Sequence, residues 1–177
     1  ENSFKSFSPL WKGVQNIFQE WYLGDEKYRE FYHREPAASG KSGLIFDEKP
    51  LLPVEIIRDT LVQLLNKGWV LGIATGRPLN ELYPPLGSME IWELFDSSSI
   101  VTIDDVQRAE QSLKAEFQTI SLGKPHPFSF LKAYWGKEVQ EKKLIFPEIM
   151  RPQPGKCWIV GDSPADLLAA REMGAFF

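Results

Sequence analysis

Four side chains in this 177-residue sequence have the right chemistry to handle a phosphate and a hard cation: Thr75, Lys124, Asp162 and Asp166. Thr75 follows the apolar run Trp69-Val70-Leu71-Gly72-Ile73-Ala74 and precedes Gly76. A hydroxyl at the end of such a run, followed by glycine, can donate to a phosphate oxygen. The plainer alternative is that Thr75 caps the next helix and Gly76 makes the turn. Lys124 sits in Gly123-Lys124-Pro125. Beside a phosphate its ammonium is worth on the order of 4 kcal/mol per close charge at intermediate dielectric, before desolvation. Most lysines are simply solvated, and that reading stays open here. Asp162 and Asp166 close the set in Gly161-Asp162-Ser163-Pro164-Ala165-Asp166. Ser163, Pro164 and Asp166 read as an N-cap, a first helical residue and the third residue of a capping box. That leaves Asp162, an acid at the mouth of an apolar run, where a carboxylate suits Mg²⁺.

These groups need elements to hold them. Residues 53–67 place Val54, Ile57, Leu61, Leu64 and Leu65 on one helical face, between Pro53 and Gly68. Residues 69–74, 98–103 and 156–160 are short apolar runs of the kind buried on both faces of a parallel sheet. Residues 104–113, 126–135 and 164–173 read as helices, the last ended by Gly174. Residues 136–155, with three prolines, read as a surface insertion with one helical turn. Such alternation predicts an α/β doubly wound fold, whose ligands bind beyond the carboxyl ends of the strands. Thr75 and Asp162 lie at two of those ends.

Upstream, residues 9–23 carry Leu10, Val14, Ile17, Phe18 and Trp21 at helical spacing. Gly24 and Asp25 suit a helix end and the cap of a second helix over 26–33. Residues 35–43 read as a linker or hinge. The sequence therefore divides into a helical module, 1–42, and an α/β core, 43–177. Trp11, Phe18, Trp21, Tyr22, Tyr28, Phe31 and Tyr32 of the module are either pocket lining or core packing.

Bulk properties narrow the classes. A formal charge of −4 gives no basic stripe for nucleic acid. No apolar stretch approaches the ~20 residues that span a bilayer, and no signal peptide is visible. The single cysteine, Cys157, has no internal partner and fits a buried thiol in a reducing, cytoplasmic setting. His33 and His126 have no evident chemical partners and are assigned no role. The first residue, Glu1, and the apolar Ala175-Phe176-Phe177 ending read as the cut ends of a fragment or processed chain.

A hydroxyl, a lysine and an acid pair, in this order and context, resemble the haloacid dehalogenase-like (HAD) superfamily over about residues 44–177. Ile73-Ala74-Thr75-Gly76 is similar to its second motif, Gly123-Lys124-Pro125 to its third and Gly161–Asp166 to its fourth. The resemblance implies a Rossmann-type parallel sheet with helices on both faces, and a helical cap of which residues 1–42 form part. It implies Thr75, Gly76 and Lys124 as phosphate-binding groups, Thr75, Lys124 and Asp162 as catalytic ones, and Asp162 with Asp166 on Mg²⁺. It also implies a nucleophile in an Asp-x-Asp motif, on a strand between 69–74 and 156–160. No Asp-x-Asp occurs in this sequence. The nearest imitation, Leu44-Ile45-Phe46-Asp47, has Lys49 where the second acid belongs and reads better as the return from cap to core. The resemblance thus points to an Mg²⁺-dependent phosphohydrolase acting on a small phosphorylated metabolite through an aspartyl-phosphate. Its nucleophile would come from an N-terminal segment of the same protein. A phosphonatase or phosphomutase, a catalytically silent phosphate-binding or regulatory protein, and a structural domain with accidental motifs are the alternatives.

Overall fold

The computed structural model describes residues 9–117 and 120–177, without the side chain of Trp11. The chain divides into two compact units. One runs to Val54 and takes in Asn80–Met89; the other comprises Glu55–Leu79 and Glu90–Phe177. The division expected from sequence lay between residues 42 and 43.

The first unit is built on helix α1 (Pro9–Tyr32), which is interrupted at Gly24. There φ is +75°, and a Cβ would lie 2.6 Å from the backbone nitrogen of Gly43. Only glycine tolerates both conditions, so the predicted break falls where expected. The segment 35–43, expected as a hinge, instead packs back on α1. The amide of Ala37 donates to Glu20 Oε1 and that of Gly40 to Asp25 Oδ2. Lys41 is buried, 3.4 Å from Glu20 and 3.5 Å from Asp25. A buried ammonium held by two carboxylates fixes the segment. Tyr22, Leu23, Tyr28 and Ile45 form the small core beside it. The aromatic stripe accordingly splits: Tyr22 and Tyr28 are core, while Phe18 and Trp21 are exposed. Residues Leu44–Asp47 form a 3₁₀ turn rather than a strand, with Asp47 exposed, so this segment has no strand-end carboxylate.

The second unit carries the α/β architecture. Helix α2 (Val54–Asn66) leads to strand β1 (Ile73–Ala74), which pairs in parallel with β2 (Ile100–Val101). Between them in sequence lies helix α3 (Leu79–Ser88), which from Asn80 onward belongs to the first unit and which the sequence did not announce because Pro84 and Pro85 stand inside it. Helices α4 (Ile103–Leu113), α5 (Phe128–Trp135) and α6 (Pro164–Met173) follow. Val106, Leu113, Leu122, Phe128, Leu131 and Met173 are among the residues of their common core. Helix α6 ends on Gly174, in the left-handed conformation, whose amide reaches Ala170 and Arg171 carbonyls.

The strands are shorter and barer than expected. The run 69–74 keeps only two strand residues, and Val70 is 69% exposed. The run 156–160 is reduced to one parallel bridge, Trp158 to Phe176, with Val160 97% exposed. Apolar runs of this type bury themselves only when both neighbouring strands are present.

Candidate active site

Lys124 organises the site. Its Nζ lies 2.7 Å from Asp166 Oδ1 and donates to the Ala74 carbonyl at 2.8 Å. It also stands over the ring of Phe130, 4.6 Å from the centroid. One ammonium therefore ties the end of β1, and so the residue before Thr75, to the start of α6. Lys124 thus links the segments of the second, third and fourth motifs, through the Ala74 carbonyl and Asp166.

Asp166 is held by two demands. Its Oδ2 accepts from the Ser163 hydroxyl at 2.6 Å and from the Ser163 amide at 3.2 Å, while the Asp166 amide donates back to Ser163 Oγ. This is the capping box foreseen in the sequence. Burial by itself pushes the Asp166 carboxyl up, but the hydrogen bonds from Lys124 and Ser163 outweigh it and hold it below the ordinary carboxylate value. Gly161 packs directly against this carboxylate: a Cβ there would lie 2.7 Å from Asp166 Cβ and 2.8 Å from Oδ2. Sequence reasoning assigned Gly161 no role. A Gly-Asp step before a capping box was the available signal.

Asp162 behaves differently. It is exposed, and among the described residues it makes no hydrogen bond or ion pair. Its carboxylate is free for a cation, whereas both oxygens of Asp166 are engaged. Among the described residues no three His, Cys, Asp or Glu groups stand together as a ready cation site. Mg²⁺ is commonly held by one or two carboxylates plus waters and substrate phosphate. These residues fit such a site with Asp162 as one ligand and further oxygens supplied from elsewhere. Asp166 as it stands positions Lys124.

The Thr75 loop is pinned from the neighbouring strand. The Thr75 amide donates to Val101 O at 3.0 Å, and the Ile103 amide to Arg77 O at 3.2 Å. The Leu79 amide donates to Asp104 Oδ2 at 2.9 Å. Thr75 Oγ1 accepts from the Arg77 amide at 3.1 Å, a local turn that leaves the hydroxyl proton available. Gly76 is exposed and has open space at its Cβ position. Asp104 is a second residue the sequence reading did not single out. Its partner Leu79 lies 25 positions away, so no local pattern marks it.

Below the site runs a groove of about 740 Å³. Its walls are residues 67–74 and 156–160, and Phe130, Ala133 and Tyr134 of α5 lie along it. The volume would suit a small ligand, but the walls are two strand edges. Flanking β1, Leu71 O accepts from the Asp96 amide and the Thr75 amide donates to Val101 O, so both are used on the β2 side. By strand alternation, the backbone of Val70, Gly72 and Ala74 faces the groove. Opposite, Cys157 O and the Ile159 amide are used toward Phe176, so the backbone of Trp158 and Val160 faces the groove. Cys157 is half-buried in this wall, and burial raises its thiol pKa. His126 is lowered, chiefly by burial with Glu172 opposing, and its Nδ1 accepts from the Phe128 amide. That is a helix-start role, with no link to the site.

Residues 121–176 match the family model described as HAD-hydrolase-like. The fold resembles a crystal structure determined as a structural-genomics target, with a TM-score of 0.77 and 34% sequence identity. That likeness covers 98% of this chain and 45% of the other, so the chain spans less than half of that protein's length. No curated protein matches the chain. Among the described residues no helix is long and apolar enough to cross a membrane. The chain thus has the HAD-like α/β fold, and its segment 121–176, with Lys124, Asp162 and Asp166, is similar to the HAD-hydrolase-like family.

Proposed function

We propose that this chain carries the metal and phosphate end of a HAD-type phosphohydrolase acting on a small phosphorylated metabolite. The observation that carries the reading is Lys124, 2.7 Å from Asp166 and 2.8 Å from the carbonyl preceding Thr75. That geometry ties a cation to the residue before Thr75 and to Asp166, four positions after the exposed carboxylate of Asp162. Thr75 and the Gly76 amide bind phosphate oxygens, and Lys124 offsets charge on the transferring group. Asp162 would hold Mg²⁺, which when bound would supply further charge neutralisation for phosphoryl transfer.

The nucleophile comes from outside this chain. Asp47 stands exposed on a 3₁₀ turn in the other unit, and no Asp-x-Asp occurs in the sequence. In this reading an N-terminal segment of the same protein seats as a strand in the groove and brings an aspartate to Lys124. Its carboxylate oxygen attacks phosphorus, the leaving oxygen takes a proton from the second aspartate, and water then cleaves the acyl-phosphate. The absent nucleophile equally favours a second reading, a silent phosphate-binding protein. Turnover separates them. The protein completed with its N-terminal segment should release nitrophenol from a chromogenic phosphate ester in the presence of Mg²⁺. A folded, phosphate-binding product with no turnover would favour the silent reading.

A further inference from the structure

We infer that Lys124 is a latch on the groove: it occupies the backbone acceptor that an inserted strand needs, and seating that strand turns it toward the site. This rests on the reading above that a strand fills the groove. Ala74 O belongs to the edge of β1 that faces the groove, and it is the position where an incoming amide would extend the ladder. Lys124 already holds it at 2.8 Å. The same ammonium holds Asp166 at 2.7 Å, so it bridges the two sides of the groove at its carboxyl end. With the groove empty, that bridge satisfies a carbonyl that would otherwise lose its partner. With a strand present, the strand's own amide can take Ala74 O, and Lys124 keeps Asp166 while its remaining donors become available to an anion.

The walls also define the occupant. Each wall is an edge of a parallel pairing, β1 with β2 and Trp158 with Phe176, and Lys67 and Lys156 line the groove at the earlier end of each wall segment. Lys124 stands at the carboxyl end. Cations at both ends and apolar walls between, including Val70, Ile73, Trp158 and Val160, select an extended segment of about five β-forming residues, apolar at alternate positions, with acids at its two ends. It runs parallel to both walls. The match is by main-chain pairing along the edges, as in strand addition.

Cys157, the chain's one cysteine, lines the groove and reports its occupancy. The test uses the 177-residue chain and two acetylated peptides, Glu-Glu-Val-Thr-Val-Thr-Val-Asp amide and its counterpart ending in Asn. Protection of Cys157 from iodoacetamide is titrated for the native chain and for Lys124→Met. In the native chain both peptides protect, the Asp peptide at lower concentration. In Lys124→Met the Asp peptide should weaken, while the Asn peptide should tighten about three- to tenfold, because its amide no longer competes for Ala74 O. Lys124→Arg, which keeps the cation, is the second variant if Lys124→Met does not fold, and it should retain the preference for the Asp peptide. Protection by the Asn peptide that is unchanged or weakened in Lys124→Met overturns the latch while leaving the groove as a strand site. A loss of the Asp preference in a folded Lys124→Arg chain also counts against the latch. Absence of protection by both peptides in every chain overturns latch and strand site together. Protection with the expected pattern, but no phosphate-ester turnover in the completed protein, leaves the latch standing and removes the phosphohydrolase.

Discussion

Two helices of the second unit begin with the same device and end up serving different purposes. At α4, Thr102 and Asp105 form a capping box; at α6, Ser163 and Asp166 form another. In both, burial raises the acid while hydrogen bonds, chiefly from the cap residue at Asp105 and from Lys124 and Ser163 at Asp166, bring it below its ordinary value. The remaining oxygen makes the difference. Asp105 Oδ1 meets Arg108, one turn along the same helix and 72% exposed. Asp166 Oδ1 meets Lys124, which comes from another segment and also holds the end of β1. A second difference lies upstream. At α4 the strand runs straight into the cap, whereas at α6 Gly161 and Asp162 intervene between Val160 and Ser163. Local capping therefore accounts for most of what holds Asp105 and only part of what holds Asp166. The surplus at α6, an imported ammonium and an unpaired acid, is where chemistry is to be sought.

The contrast can be broken most forcefully at the two cations. Lys124→Met should cost about 1–3 kcal/mol in urea unfolding, since it strips a charged partner from a buried carboxylate. Arg108→Met, which removes a largely solvated cation while the Thr102 bonds to Asp105 remain, should cost well under 1 kcal/mol. Equal costs would mean the two boxes are alike. Next comes Gly161→Ala. The added methyl meets the Asp166 side chain at 2.7–2.8 Å, and the forced shift should cost about 1–3 kcal/mol. Asp166→Ala in the same protein removes the contacts with Cγ and Oδ2 and leaves the one with Cβ, so it should relieve part of that penalty, and an additive double mutant would contradict the contact.

Smaller effects test what the boxes share. Ser163→Ala and Thr102→Ala should each lose about 1 kcal/mol of stability. The serine change should also loosen Asp166 against Lys124. In acid, both carboxyls act in the same direction. Their folded pKa values lie below the unfolded value of about 3.9, so their contribution is complete above it and is lost as pH falls through the lower folded values. Unfolding titrations from pH 5 downward should therefore show stability falling with acid. Lys124→Met, by removing a lowering influence on Asp166, should flatten that fall more than Arg108→Met does.

Much of this architecture could be read without coordinates, and the reason is locality. Helix α6 was expected at 164–173 and occupies Pro164–Met173, because Ser163, Pro164, Asp166 and Gly174 are all within the helix or beside it. Helix α2 was expected at 53–67 and occupies Val54–Asn66 for the same reason. What failed depends on distant partners. The strands at 69–74 and 156–160 shrink because strand length depends on both neighbours, and Val70 and Val160 are bare on the groove side. The expected hinge at 35–43 is fixed because Lys41 finds Glu20 and Asp25 far back along the chain. Lys124 was foreseen as a charge near a phosphate, but its bond to Ala74 spans 50 residues and has no local signature. Asp104 was missed for that reason as well.

Asp162 is the acid that no structural role absorbs, and the account stands or falls on it. The decisive measurement is phosphate-ester hydrolysis by the protein completed with the N-terminal segment proposed above, with Mg²⁺ and with EDTA, for the native protein and for Asp162→Ala. The account predicts Mg²⁺-dependent turnover that falls at least about a hundredfold in Asp162→Ala, more than outer partners of a cation site typically cost, with stability nearly unchanged because the side chain is exposed. Turnover that persists in EDTA, or an Asp162→Ala protein as active as the native one, would contradict it.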